Sequence, residues 1–181
     1  MTLALYNSLD PVRFAEAHRR ALARAGPVAW AFDCNLAVFG FPFDKDMRTP
    51  VEVAKWLVGT TSIGQGGDWI VKLAESGRFY FHDYPRKGFP PQFGKIVIAT
   101  RKPDQRLSTK PREVAGLLKE GRSLMMVFGL GPRGLPDKIM EMGQYHMDLT
   151  EKGVSFETCT AIGAAPAKVM TWLEVLQTRG R

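Results

Sequence analysis

Short apolar runs alternate with helix-patterned segments along nearly the whole chain, and this alternation limits the fold more than any other feature. Residues 3–6, 28–32, 95–99 and 123–128 read as buried strands, 78–82 and 145–149 as further strands, and 36–41 as a strand or an extended loop. Asp10-Pro11 offers a helix cap followed by a first-turn proline. Phe14, Ala17, Ala21 and Ala25 then recur at helical spacing, and Gly26-Pro27 predicts the stop. Thr49-Pro50 opens a second helix, 59–67 is a glycine-rich break, and 68–75 is a third helix. Lys110-Pro111 opens a fourth helix through Leu118, Pro136 a short one, and residues 157–177 form the last. Strands that alternate with helices predict an α/β fold, a mostly parallel sheet flanked by helices. Ligands of such sheets sit at the carboxyl ends of strands.

The 181 residues suit one domain, 1–181, with no linker or internal repeat to divide it. Apolar residues at 45% and charged residues at 24% exclude general disorder. No apolar run approaches the roughly 18 residues of a membrane span. The N-terminus has no basic region and reaches Asp10 too soon for a signal peptide, and two scattered cysteines, Cys34 and Cys159, suggest reduced thiols. A cytoplasmic protein is expected. His18, His82 and His146 lack metal-ligand spacing, so no metal is predicted.

The net charge of +7 is localised. Residues 78–122 hold eleven Lys and Arg against four acids, so the rest of the chain is neutral. A localised basic excess points to an anionic partner, nucleic acid first, or to a solvated basic face. The excess includes a basic insertion around 78–93, where Phe79, Tyr80, Phe81, His82, Tyr84, Phe89 and Phe93 are interleaved with Arg86 and Lys87. Such rings could stack on exposed bases, or face the core of a strand.

The strand at 123–128 runs into a glycine loop, Phe128-Gly129-Leu130-Gly131-Pro132-Arg133-Gly134-Leu135. Its spacing matches neither a dinucleotide fingerprint nor a phosphate-binding loop, and it could be a tight structural turn. Two further turns follow strands, after Ala99 and after Leu149. The last helix opens with small residues: Ala161, Gly163, Ala164, Ala165 and Ala167. A valine at 129 is expected to fill a ligand's approach path with modest loss of fold.

These turns carry a resemblance. Ala99-Thr100, the Phe128–Leu135 loop, Met147-Asp148-Leu149 and the helix start Ser155-Phe156-Glu157 follow the order and spacing of the SPOUT class of RNA methyltransferases over residues 94–175. Arg19, seven residues before Gly26, is similar to the N-terminal pattern of the 2′-O-methylating branch. The whole resembles an uncharacterised archaeal branch of the class.

The resemblance implies a SPOUT-like domain with a C-terminal trefoil knot, a homodimer whose active sites draw on both subunits, and S-adenosylmethionine as cofactor. Ala99, Thr100, Phe128, Gly129, Leu130, Gly131, Gly134, Met147, Asp148, Leu149, Phe156 and Thr158 would hold the cofactor. Arg19 and Glu157 would be catalytic, and Arg13, Arg86, Lys87, Arg101 and Lys102 would contact the RNA, a tRNA or rRNA. The chain departs from the class at three places. Gly131 stands where Glu is frequent, Glu157 where Asn is frequent, and Arg13 at an Asn position. The acceptor is therefore open between a ribose hydroxyl and a base nitrogen. A non-catalytic RNA-binding protein on this fold, and an unrelated α/β enzyme that binds a phosphorylated ligand at Gly129–Gly134, are the alternatives.

Overall fold

The computed structural model describes residues 1–60 and 64–178. Within them a seven-stranded sheet has the order β3-β2-β1-β6-β4-β7-β5, with every pairing parallel. The strands are β1 (Thr2–Tyr6), β2 (Asn35–Phe39), β3 (Phe79–His82), β4 (Lys95–Ala99), β5 (Ser108–Thr109), β6 (Leu124–Gly129) and β7 (Tyr145–Met147). The helices are α1 (Glu16–Ala31), α2 (Pro50–Val58), α3 (Gly66–Glu75), α4 (Pro111–Lys119), α5 (Asp137–Met140) and α6 (Thr158–Thr178). Part of the break expected over 59–67 falls on 61–63, outside the described residues. No described helix is long and apolar enough to cross a membrane.

The handedness of parallel crossovers explains how the two faces are covered. Steps toward the β3 edge, β1→β2, β2→β3 and β5→β6, carry α1, α2 with α3, and α4 onto one face. The usual right hand of such crossovers sends steps toward the β5 edge, β3→β4, β4→β5 and β6→β7, across the opposite face. The first face buries Leu3, Leu5, Leu36, Val38 and Met126 against these helices and α6. Among the described residues, the second face, with Ala4, Phe39, Ile98 and Val127, is covered by α5 and a strap, residues 83–94. The strap substitutes rings for a helix. Phe89 and Phe93 pack edge-on against Phe39, and Phe93 against Tyr80. Tyr84 meets Tyr6 at 5.4 Å. The aromatics of the basic segment thus pack into the core on both faces, Phe79 and Phe81 on the first and Tyr80, Tyr84, Phe89 and Phe93 on the second, the second of the two readings open to them.

The sequence reading fails at the start and the end of α1. The Asp10 carboxylate accepts N–H bonds from Val12 and Arg13, but this closes only one turn, and the helix begins at Glu16. Gly26-Pro27 does not stop it, and 28–32 is no strand: the helix runs on to Ala31 with Pro27 inside. A proline in mid-helix removes one N–H and frees the carbonyl four residues back, here Ala23. The start of α3 comes close to that carbonyl. A Cβ on Gly66 would stand 2.5 Å from the Ala23 oxygen, and one on Gly26 would stand 2.9 Å from Ile70 Cγ1. The glycine that reads as a terminator is the close-packing point of α1 on α3. The third helix also starts early, at Gly66 rather than 68, so the glycine-rich break ends before Gly66-Gly67; α2, α4 and α5 start as expected. At α2 the Thr49 hydroxyl accepts the Glu52 N–H while the Glu52 carboxylate accepts the Thr49 N–H.

His18 is fully buried on α1. Its Nδ1 accepts the Ala15 N–H at 3.0 Å, so the proton sits on Nε2, 3.0 Å from Asn7 Oδ1. Burial pushes the His18 imidazole below its ordinary value, and burial does the same to His82. The unfolded chain protonates both near pH 6.5. The folded chain resists, so this contribution is complete above that pH and declines as pH falls toward the folded values. The melting temperature should therefore drop between about pH 7 and pH 5.5. In the double variant His18→Gln, His82→Phe the drop should be visibly shallower. An identical pH slope for parent and variant in thermal unfolding would refute the assignment.

Candidate functional site

Three turns leave the carboxyl ends of β4, β6 and β7 on the same side of the sheet, and together they wall a cleft of about 800 Å³. The first wall is Ala99, Thr100, Arg101 and Lys102; the second is residues 128–135; the third is Asp148 and Leu149 with residues 154–158. α5 adds Asp137 and Met140, and α6 adds Ala161. A Thr100 N–H bond to the Met147 carbonyl, 3.0 Å, ties the first turn to the third. The Thr158 hydroxyl donates to the Gly129 carbonyl at 2.8 Å and ties the third to the second.

The glycine loop is braced from below. Leu130 N–H donates to Tyr6 O at 2.9 Å, and Gly131 N–H to Ser8 Oγ at 2.9 Å. A side chain at 131 would collide with the Ser8 backbone. Gly134, at φ +72, closes the turn with its N–H on the Gly131 carbonyl. At Gly129 the space where a Cβ would go is occupied by the returning limb of the same loop: the Gly134 carbonyl carbon lies 2.7 Å away and Leu135 N 2.9 Å away. A valine there displaces the loop rather than merely filling a ligand path.

Two of the three acids at the cleft are already engaged. Burial raises the Asp148 pKa, but N–H bonds from Gly153 and Thr150 and the Thr150 hydroxyl outweigh it, so the carboxyl lies below its ordinary value. Glu157 Oε2 accepts the amides of Cys159 and Thr160 and caps α6. Asp137, the third, is exposed. The cations facing them are Arg101, Lys102 and Arg133.

Of the residues singled out in the sequence, Ala99, Thr100, Phe128, Gly129, Leu130, Gly131, Gly134, Asp148, Leu149, Phe156, Glu157, Thr158, Arg101 and Lys102 line this cleft. Met147 does not: it is fully buried and offers the cleft only its carbonyl bond to Thr100. Arg19 lies on α1 outside the cleft, donating to the Phe14 carbonyl with its guanidinium over the Phe14 ring. Arg13 is exposed in the turn after Asp10, and Arg86 and Lys87 are exposed on the strap. The strap leaves the sheet at the cleft end, where Tyr84 donates to the Asn7 carbonyl at 2.9 Å.

The structure also sorts the basic segment. Arg78, Arg106, Lys110 and Arg122 pair with Asp33, Asp104, Glu151 and Glu120. Arg112 lies over Trp172, and Lys119 donates to the Leu176 carbonyl. Among the described residues, Arg86, Lys87, Lys95, Arg101 and Lys102 make no ion pair, Lys95 standing at the start of β4, away from the cleft. Asn7 and Ser8 were missed. Asn7 is 2% exposed and organises the β1 turn, donating to the carbonyls of Asp10 and Gly40 and accepting from Leu9, Asp10 and His18. Their position just past a strand's carboxyl end was the available signal.

The family described as Protein of unknown function (DUF531) matches residues 1–170. Uncharacterized protein MJ0224 of Methanocaldococcus jannaschii is 43% identical over 176 residues, 97% of this chain and 96% of its own. Three solved structures share the fold. The probable methyltransferase from Bordetella pertussis Tohama I aligns with TM-score 0.63 at 13% identity, over 95% of each chain. An AdoMet-bound rRNA methyltransferase from Sinorhizobium meliloti aligns with TM-score 0.57 at 12% identity, over 95% of this chain and 56% of that one. The TrmH/SpoU tRNA modifying enzyme of A. aeolicus aligns with TM-score 0.54 at 15% identity, over 99% and 78%. At these identities the likeness is one of fold: a parallel α/β sheet flanked by helices.

Gly129→Val should lower the melting temperature as well as any ligand affinity, because its clash is with backbone. Gly134→Ala, strained only by its positive φ, should cost about 1 kcal/mol or somewhat more. Equal melting temperatures for parent and Gly129→Val would contradict the packing described.

Proposed function

The chain belongs to the DUF531 family, and from that premise we propose that it is an S-adenosylmethionine-dependent methyltransferase acting on structured RNA, a tRNA or rRNA, in the cytoplasm. One observation carries the proposal: three turns that are separate in sequence meet in one cleft at the carboxyl end of the sheet.

The residues present suit the cofactor. Ala99, Gly129, Leu149 and Ala161 offer a mostly apolar surface for a flat heterocycle. Backbone groups of the three turns offer donors and acceptors, and Arg101, Lys102 or Arg133 could pair with a carboxylate. When bound, the sulfonium supplies an electrophilic methyl group for in-line displacement. Glu157 has one carboxylate oxygen on the α6 amides and a second with which to orient an acceptor or take its proton. Arg101 and Lys102 hold the acceptor strand by its phosphates, and Arg86, Lys87 and Arg13 extend that contact. Arg19 does not line the cleft of its own chain; in a homodimer it serves the partner's cleft, as phosphate clamp or catalytic group. A binding-only role on the same fold is favoured by one fact: Asp148 and one oxygen of Glu157 are engaged in building the walls.

Calorimetry with S-adenosylmethionine tests the cofactor, and no binding at millimolar ligand would refute the proposal. Transfer of tritiated methyl to total RNA, followed by nucleoside mass spectrometry, tests catalysis. Binding without transfer to any RNA selects the binding-only role. Charge reversal of Arg86, Lys87, Arg101 and Lys102 together should weaken RNA affinity and flatten its dependence on salt. An unchanged salt slope would remove these residues from the RNA contact.

A further inference from the structure

His146 lies in β7 and is 4% exposed, flanked in register by Ile98 of β4 and Ser108 of β5. Its ring makes two hydrogen bonds, both to backbone. Nδ1 accepts the Asp104 N–H at 3.1 Å, and Nε2 lies 3.0 Å from the Met140 carbonyl. An amide donated to Nδ1 leaves the proton on Nε2, so one neutral tautomer satisfies both partners. The partners belong to different parts of the cleft. Asp104 lies in the turn that begins with Thr100, Arg101 and Lys102, and Met140 is the last residue of α5 and itself lines the cleft. The His146 N–H donates to the Leu107 carbonyl at 2.7 Å, holding the far end of the same turn. Gly143 lies close against the ring: a Cβ there would stand 3.2 Å from Nε2.

We propose that His146 is a positioning residue of the methyl-donor cleft, a neutral strut that sets the Thr100–Lys102 turn and α5 at a fixed separation. This rests on the reading of the cleft as a donor site. α5 is four residues long and cannot hold its place by its own ladder. The turn after Ala99 reaches β7 through Thr100 at one end and Leu107 at the other, with the Asp104 amide on His146 between them. Loss of the ring contacts therefore loosens both walls without removing anything that touches the donor.

Two variants separate the bonds. His146→Asn places an amide oxygen near the Nδ1 position and keeps the Asp104 bond alone; His146→Gln reaches the Nε2 position and keeps the Met140 bond alone. In the full-length protein, amide hydrogen exchange should show Asp104 protected in the parent and His146→Asn but exposed in His146→Gln, with faster exchange around α5 in His146→Asn. S-adenosylmethionine affinity, measured by calorimetry, should fall about tenfold in each, the loss of one hydrogen bond. The ring itself can be read without any variant: imidazole nitrogen shifts in the parent should report the Nε2–H tautomer. An Nδ1–H tautomer, unchanged Asp104 protection in His146→Gln, or parent-like affinity in both folded variants would each overturn the proposal. A parent chain that binds no donor would instead remove the donor reading, and the exchange data would still decide whether His146 holds the two walls.

Discussion

The pairing of β1 with β6 is the seam on which the rest of the molecule hangs. It joins the N-terminal strands β1–β3 to the C-terminal strands β4–β7 in one sheet, in register from Thr2 with Met125 to Tyr6 with Gly129. Leu3, Leu5, Met125 and Val127 are all fully buried there, and each contributes roughly 1.5–3 kcal/mol through burial. The register continues past the strands. Leu130 reaches back to Tyr6, and Gly131 to Ser8. The glycine loop is thus an extension of the sheet held by the β1 turn, and the Asn7–His18 pair under that turn holds it in place. A change to that buried pair would reach the cleft without touching it.

Parallel topology decides where chemistry can occur. All seven strands point the same way, so their turns gather at one end, and unpaired backbone groups gather with them. The crossovers leave the second face short of helix. The chain covers that face with rings from a segment whose surface carries Arg86 and Lys87. One stretch of sequence therefore does two jobs. Its aromatics complete the core, and its cations remain outside. Tyr84 links the two, since it meets Tyr6 edge-on and donates to the Asn7 carbonyl beside the cleft.

Two buried histidines stand in equivalent roles on either side of the cleft. His18 accepts an amide at Nδ1 and faces Asn7 with Nε2; His146 accepts an amide at Nδ1 and faces Met140 with Nε2. Each is an uncharged ring that uses both nitrogens to tie backbone segments together. The cleft's acids are used in a related way, Asp148 to shape the 148–154 turn and Glu157 to cap α6. Polar groups at this end of the sheet mostly hold the walls, which leaves glycine-rich backbone, a few apolar side chains and unpaired cations lining the cleft.

Local pattern was enough for the α/β class, for most strands, for the helix starts at Thr49 and Lys110, for three turns at strand ends, and for the stretch that carries the charge. These are properties of spacing and residue type within a few neighbours, and a chain displays them before it folds. The continuation of α1 through Gly26-Pro27 was not legible, because its stabilisation comes from α3, forty residues away, packing on a carbonyl that Pro27 leaves free. The fate of Met147 under the cleft, the direction of the Gly129 Cβ and the location of Arg19 outside the cleft were hidden for the same reason: each depends on which distant segment fills the adjoining space. So did the sorting of eleven cations into paired and unpaired, since Asp33 and Glu151, which claim Arg78 and Lys110, lie outside the basic segment. Short-range patterning set the parts and their order; long-range packing chose which faces and charges were left open.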